Sequence, residues 1–149
     1  MVAPGFGRPD MALDLSSLKK AVDSLDRALK VAGAGIRGQV NTDQEEVIRA
    51  GVIQNFEFTY ELCWKFIKRW LEHNAGAADA DGSTRKELFR LAAESRLITG
   101  VENWFKYHSA RNETTHTYDP VKAAMIYRLA GPFAADARKL LEVLEKRND

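Results

Sequence analysis

Apolar positions recur along most of the chain at spacings of three and four residues, the repeat of an α-helix with one buried stripe. Leu15, Leu18, Val22, Leu25 and Leu29 keep that spacing, and Gly33, Gly35 and Gly38 are expected to end the helix they define. A second pattern opens at Thr42-Asp43-Gln44-Glu45, where the Thr hydroxyl and the Glu carboxylate stand at the spacing of a capping box. It predicts a helix unbroken to about His73, roughly 32 residues or ~48 Å long at ~1.5 Å per residue. Its apolar residues, Val52, Ile53, Phe56, Tyr60, Cys63, Trp64, Ile67 and Leu71, cover more than one stripe. Such a helix is buried on two sides, by other helices or by a second subunit, and a homodimer is therefore expected.

The stretch N-A-G-A-A-D-A-D-G at 74–82 reads as a loop. Thr84-x-x-Glu87 predicts a short helix through about Ala93. Thr99-x-x-Glu102 predicts another, with Val101, Trp104, Phe105 and His108 or Tyr107 facing inward. Asp119-Pro120 supplies an N-cap and a first-turn proline for a last helix reaching about Lys146, with a kink expected at Gly131-Pro132. No segment alternates with the period of a β-strand. The fold class that follows is all-α: an up-and-down antiparallel bundle of four main helices plus one short helix.

Composition narrows the picture. With 149 residues, 45% apolar and 29% charged, the chain suits one globular domain. Pro4, Gly5, Gly7 and Pro9 mark residues 1–12 as a flexible leader, with Met11 an alternative start, and leave 13–149 as the expected domain. No apolar run approaches the ~18 residues of a membrane span, and the first ten residues lack the apolar core of a signal peptide. A cytoplasmic protein without membrane attachment is expected. The single cysteine, Cys63, excludes an internal disulfide and a cysteine-built metal site, and is expected to be a small buried hydrophobe. His73, His108 and His116 lack zinc-binding spacing, the glycines form no phosphate loop or dinucleotide fingerprint, and no serine has a nucleophile-elbow context. Neither a metal site nor a cofactor is expected.

Net charge, +1 overall, conceals an uneven distribution. Residues 83–111 carry six bases and three acids, whereas residues 42–73 carry four bases and six acids. A modest basic excess of this kind suits a local phosphate site better than a long duplex-binding stripe.

That excess leads into Arg111-Asn112-Glu113-Thr114-Thr115-His116-Thr117-Tyr118-Asp119-Pro120, at a junction between two expected helices. Five residues on a straight helix would turn His116 away from Arg111 by ~140°, so their convergence requires the helix to end or bend between them. Thr114, Thr115 and Pro120 permit that. Histidine takes and returns a proton near neutral pH, arginine holds phosphate and stabilises developing charge, and Asn112 can orient either. Together they suit metal-independent RNA cleavage, in which a ribose 2′-hydroxyl attacks the neighbouring phosphate. Read from residue type alone, the plainer alternative carries more weight: Arg111 is a cation at a helix C-terminus, and His116 and Tyr118 are turn residues. Gln54, Glu57 and Glu61, spaced three and four apart, share a helical face that is either solvated or the polar lining of a cleft near Arg111. Phe56, Phe58 and Trp64 are expected in the core or a dimer contact, Trp104 in the core, and His108 on a helix surface.

The strings R-N-E-T-T-H-T-Y at 111–118 and V-I-Q-N-F-E-F-T-Y-E-L-C-W-K at 52–65 make the chain resemble the HEPN superfamily, in its branch of nucleotidyltransferase substrate-binding proteins, over about residues 13–146. The resemblance implies a helical bundle that commonly dimerises, with Arg and His of both subunits facing a shared cleft. It implies a toxin-type, metal-independent ribonuclease encoded beside a minimal nucleotidyltransferase that acts as antitoxin. Carried onto this chain, Arg111, Asn112 and His116 are the catalytic candidates and Tyr118 the tyrosine that the partner AMPylates to silence the nuclease. RNA or a nucleotide is the implied ligand. The alternative from the same branch is a non-catalytic subunit that lends a substrate-binding surface to the nucleotidyltransferase. A third reading, from the residues alone, is a dimerisation bundle with no ligand.

Overall fold

In the structure, a computed structural model, residues 12–37, 42–74 and 84–148 are described. They form α1 (Ser16–Arg37), α2 (Thr42–Asn74), α3 (Arg85–Glu94), α4 (Val101–Asn112), a 3₁₀ turn (Thr114–His116) and α5 (Pro120–Lys146). The architecture is an all-helical bundle: α1, α2, α4 and α5 are the main helices, α3 the short one, and no strand occurs among the described residues. The expected leader falls outside the described residues save for its last residue, as does the 74–82 loop beyond Asn74.

The hydrophobic stripes lie where their spacing directs them. Leu15, Leu18, Val22 and Leu25 of the first stripe are buried, and Leu29 packs half-buried against the same core. Helix α2 buries Val52, Phe56, Tyr60, Cys63, Ile67 and Leu71 together with Ile53, Phe66 and Trp70. Its two apolar sides are occupied within the chain, by α1 and α5 and by α3 and α4. The breadth of its apolar surface therefore needs no second subunit to explain it. At the centre, the Phe133 ring meets Phe56, Tyr60, Trp104 and Tyr107 at centroid distances of 5.0 to 6.4 Å, mostly edge-on. These are favourable aromatic geometries that add to plain burial.

Polar ties fix the ends and the register. Asn148 pairs with both backbone groups of Leu13, accepting from N–H at 2.7 Å and donating to C=O at 2.8 Å. Ser24 donates to Asn55 Oδ1 (2.7 Å) and Thr59, buried in α2, donates to the Ala21 carbonyl (3.3 Å), locking α1 against α2. The Thr84/Glu87 capping box forms, with both reciprocal bonds present. Asp119 caps α5 through the Val121 N–H at 2.9 Å, with Pro120 in the first turn.

Three expectations require correction. Helix α1 does not stop at Gly33 but runs through Gly33 and Gly35 to Arg37, because tertiary packing that buries Ala32 outweighs the ~1 kcal/mol helix cost of a glycine. Thr99 is not the cap of α4. Gly100 is, with φ +65°, and Arg96 also adopts a left-handed conformation (φ 61°); between them Leu97 and Ile98 turn into the core. The last helix runs to Lys146 as expected, with Pro132 inside it. Gly131 and Pro132 both face solvent, where water can satisfy the carbonyl that proline leaves unpaired. Of its two expected places, core or dimer contact, Phe58 does not take the core: 58% of it is exposed.

Burial fixes the expected stability effects. Phe133→Ala should cost about 3–5 kcal/mol in urea unfolding, whereas Phe58→Ala should lie within about 0.5 kcal/mol of the parent protein.

Candidate functional site

The motif at 111–118 is built around the end of α4. The helix closes after Asn112, with the Glu113 N–H bonding back to Ala110 and Arg111 carbonyls and the Thr114 hydroxyl donating to the Arg111 carbonyl at 2.7 Å. Residues 114–116 then wind one 3₁₀ turn before Asp119 starts α5. Glu113 and Lys122, paired at 2.8 Å, tie this turn to the first turn of α5. A change of helix between Arg111 and His116 is thus in place.

Arg111 faces α2. Its Nε donates to Glu61 Oε2 at 3.2 Å, and its Nη1 lies 3.5 Å from Glu57 Oε2. Thr114 completes the cluster: its hydroxyl oxygen accepts from Arg111 Nη1 at 3.4 Å and lies 3.3 Å from Glu57 Oε2. All three charged side chains are about one-third exposed (27%, 36% and 32%). Two carboxylates on successive turns of α2 therefore set the plane of the guanidinium, and its Nη2 has no assigned partner among the described residues. Gln54, one turn before Glu57, is exposed and makes no hydrogen bond to this cluster.

His116 and Tyr118 form a second pair. The phenol oxygen lies 3.5 Å from His116 Nδ1, at the long limit of a hydrogen bond, and the rings meet edge-on at 5.9 Å. Tyr118 is 82% exposed. No direct contact joins Arg111 to His116 among the described residues. The chain brings Arg111 together with Glu57, Glu61 and Thr114, and His116 together with Tyr118, as two groups that follow one another at the end of α4.

A layer that motif spacing did not disclose supports Asn112. His108, expected on the helix surface, is instead half-buried, with Nδ1 at 2.8 Å from the Tyr60 hydroxyl and Nε2 at 3.5 Å from the Asn112 amide. Burial, with help from the Arg85, Arg111 and Lys86 charges, lowers the His108 pKa below the ordinary 6.5, while Glu61 opposes the shift. Burial likewise pushes the Tyr60 phenol far above its usual range. A neutral imidazole protonated at Nδ1 donates to the Tyr60 oxygen and accepts at Nε2 from the Asn112 amide, the tautomer that matches both contacts. Arg85, stacked over the Trp64 ring at 3.5 Å, lies against the same group. The available signal was helical spacing: His108 stands three and four residues before Arg111 and Asn112, on one face.

Because the folded protein resists protonating His108, the unfolded chain binds more protons below about pH 6.5. Stability contributed here is present above that pH and is lost as pH falls. His108→Gln should flatten the decline in urea midpoint between about pH 7.5 and 5.

Three comparisons bear on the whole arrangement. A family profile described as "Nucleotidyltransferase substrate binding protein like" matches residues 13–146. A Haemophilus influenzae protein named "Probable ribonuclease HepT" is 39% identical over 105 residues, 70% of this chain and 72% of that one. Among solved structures, a Haemophilus influenzae protein described as having the fold of a substrate binding domain of a nucleotidyltransferase aligns at TM-score 0.81 and 31% identity, over 89% of this chain and 99% of the other. A Thermus thermophilus protein aligns at TM-score 0.69 and 26% identity, over 85% and 98%. The chain belongs to the nucleotidyltransferase substrate-binding protein-like family, within the HEPN superfamily.

Proposed function

We propose that this protein is a toxin-type, metal-independent ribonuclease that works as the partner of a minimal nucleotidyltransferase and is silenced when that partner AMPylates Tyr118. The observation that carries the reading is the contact of His116 with the exposed Tyr118 phenol at 3.5 Å, beside an arginine already fixed in orientation. Any group added to that phenol would occupy the space in front of the imidazole.

In the cleavage step, His116 takes the proton of a ribose 2′-hydroxyl, the freed oxygen attacks the adjacent phosphorus, and the P–O5′ bond breaks. The 5′-oxygen leaves with a proton, and a 2′,3′-cyclic phosphate remains. Arg111 offers Nη2 to the phosphoryl oxygens as charge develops on them. Glu57 and Glu61 hold its plane, and Asn112, braced by His108 and Tyr60, orients the phosphate. In a homodimer two such sites would share a cleft, one His116 removing the proton and the other supplying one. In the silencing step, the Tyr118 oxygen attacks the α-phosphorus of ATP, pyrophosphate leaves and the phenol proton is released. The product carries a negatively charged phosphodiester beside His116.

The neutralisation of Arg111 by two carboxylates favours a second reading, a non-catalytic subunit that presents a binding surface to the nucleotidyltransferase. Two experiments separate them. His116→Ala should lower the rate of RNA cleavage by about 10²–10⁴-fold; parent protein that leaves RNA intact would favour the non-catalytic subunit. Incubation with ATP and the nucleotidyltransferase should add ~329 Da to the intact mass, and Tyr118→Phe should abolish the adduct.

A further inference from the structure

On the side of α4 turned ~200° from Arg111, an open groove of about 700 Å³ runs between α4 and α5. Phe105, Met125 and Leu129 form its apolar floor. Lys86, Lys106, Lys122 and Arg128 line it, against a single acid, Glu113. That acid is already paired with Lys122 at 2.8 Å. Lys86 and Arg90 lie 5.5 and 5.4 Å from the Phe105 ring centre, so the basic excess of the 83–111 segment gathers at this edge. Lys106 and Arg128 are exposed on opposite banks, one on each helix. Glu113 closes one end, and it is the residue that joins α4 to the 3₁₀ turn carrying His116. The groove therefore ends where the 3₁₀ turn presents His116 and Tyr118.

We infer that the α4/α5 groove binds single-stranded RNA, holding the nucleotides that flank the phosphate delivered to Arg111 and His116. An apolar floor with one aromatic ring accepts bases without reading sequence, and cations on both banks follow the backbone phosphates. From Phe105 to Glu113 the floor runs ~12 Å along α4, enough for a few nucleotides. A strand leaving at Glu113 passes round the end of α4 to the candidate site. This inference rests on the ribonuclease reading for the strand's destination, but the binding itself is measured without cleavage.

The test is fluorescence anisotropy with a 5′-fluorescein-labelled single-stranded RNA 12-mer, titrated with protein carrying His116→Ala so that the RNA stays intact. Adding Lys106→Gln and Arg128→Gln should raise Kd about tenfold and reduce the slope of log K against log salt by about 1.4, the value for two lost phosphate contacts. Lys139→Gln with Lys146→Gln, an equal change in net charge on the distant half of α5, should leave both quantities unchanged. Equal weakening by the two pairs, or none by the first, overturns the inference. So does a first pair that spares RNA affinity yet abolishes co-purification with the nucleotidyltransferase, which would make the groove a protein-docking site. Thermal unfolding of each variant confirms that it is folded. If the parent protein cuts no RNA but groove-dependent binding persists, the ribonuclease reading fails and the groove assignment stands.

Discussion

Helix α2 is the constraint on which the rest of the structure depends. Its 33 residues contact each of the other four helices, so it must be apolar on two sides. It must also keep one narrow polar face, from which Glu57 and Glu61 reach Arg111. The two demands are met by the side chains between those carboxylates. Phe56, Thr59 and Tyr60 are buried, while Glu57 and Glu61 lie one turn apart at the surface. Tyr60 joins the two regimes: its ring packs in the aromatic core and its hydroxyl reaches His108 beneath the site.

Magnitudes separate what holds the fold from what shapes the site. A buried ring such as Phe133 is worth several kcal/mol. A partly exposed ion pair such as Arg111 with Glu61 contributes about 0–1 kcal/mol. The bundle does not need that pair to stand. What the carboxylates supply is orientation: they connect the last turn of α4 to α2 across 50 residues of sequence and leave one edge of the guanidinium without an assigned partner. Thr114 performs the same task locally, donating to the Arg111 carbonyl and accepting from its guanidinium.

The helices were legible because each has a strong local signal: the stripe from Leu15 to Leu25, the Thr84/Glu87 box, and Asp119 before Pro120. The misread boundaries were set by competing tertiary forces. Burial of Ala32 carries α1 through two glycines, and burial of Leu97 with Ile98 moves the start of α4 to Gly100. Within the site, the spacing of Glu57 and Glu61 was visible, but whether they met solvent or Arg111 depended on helix rotation and packing. His108 was misplaced for the same reason, since its partner Tyr60 lies 48 residues away. Tyr60 carries no motif of its own.

The most direct test of the central claim is end-group analysis of RNA incubated with the purified protein in excess EDTA. The account predicts products bearing 2′,3′-cyclic phosphate and 5′-hydroxyl ends, formed by the parent protein and lost in Arg111→Ala. Cleavage that requires added metal, leaves other ends, or survives Arg111→Ala would contradict it.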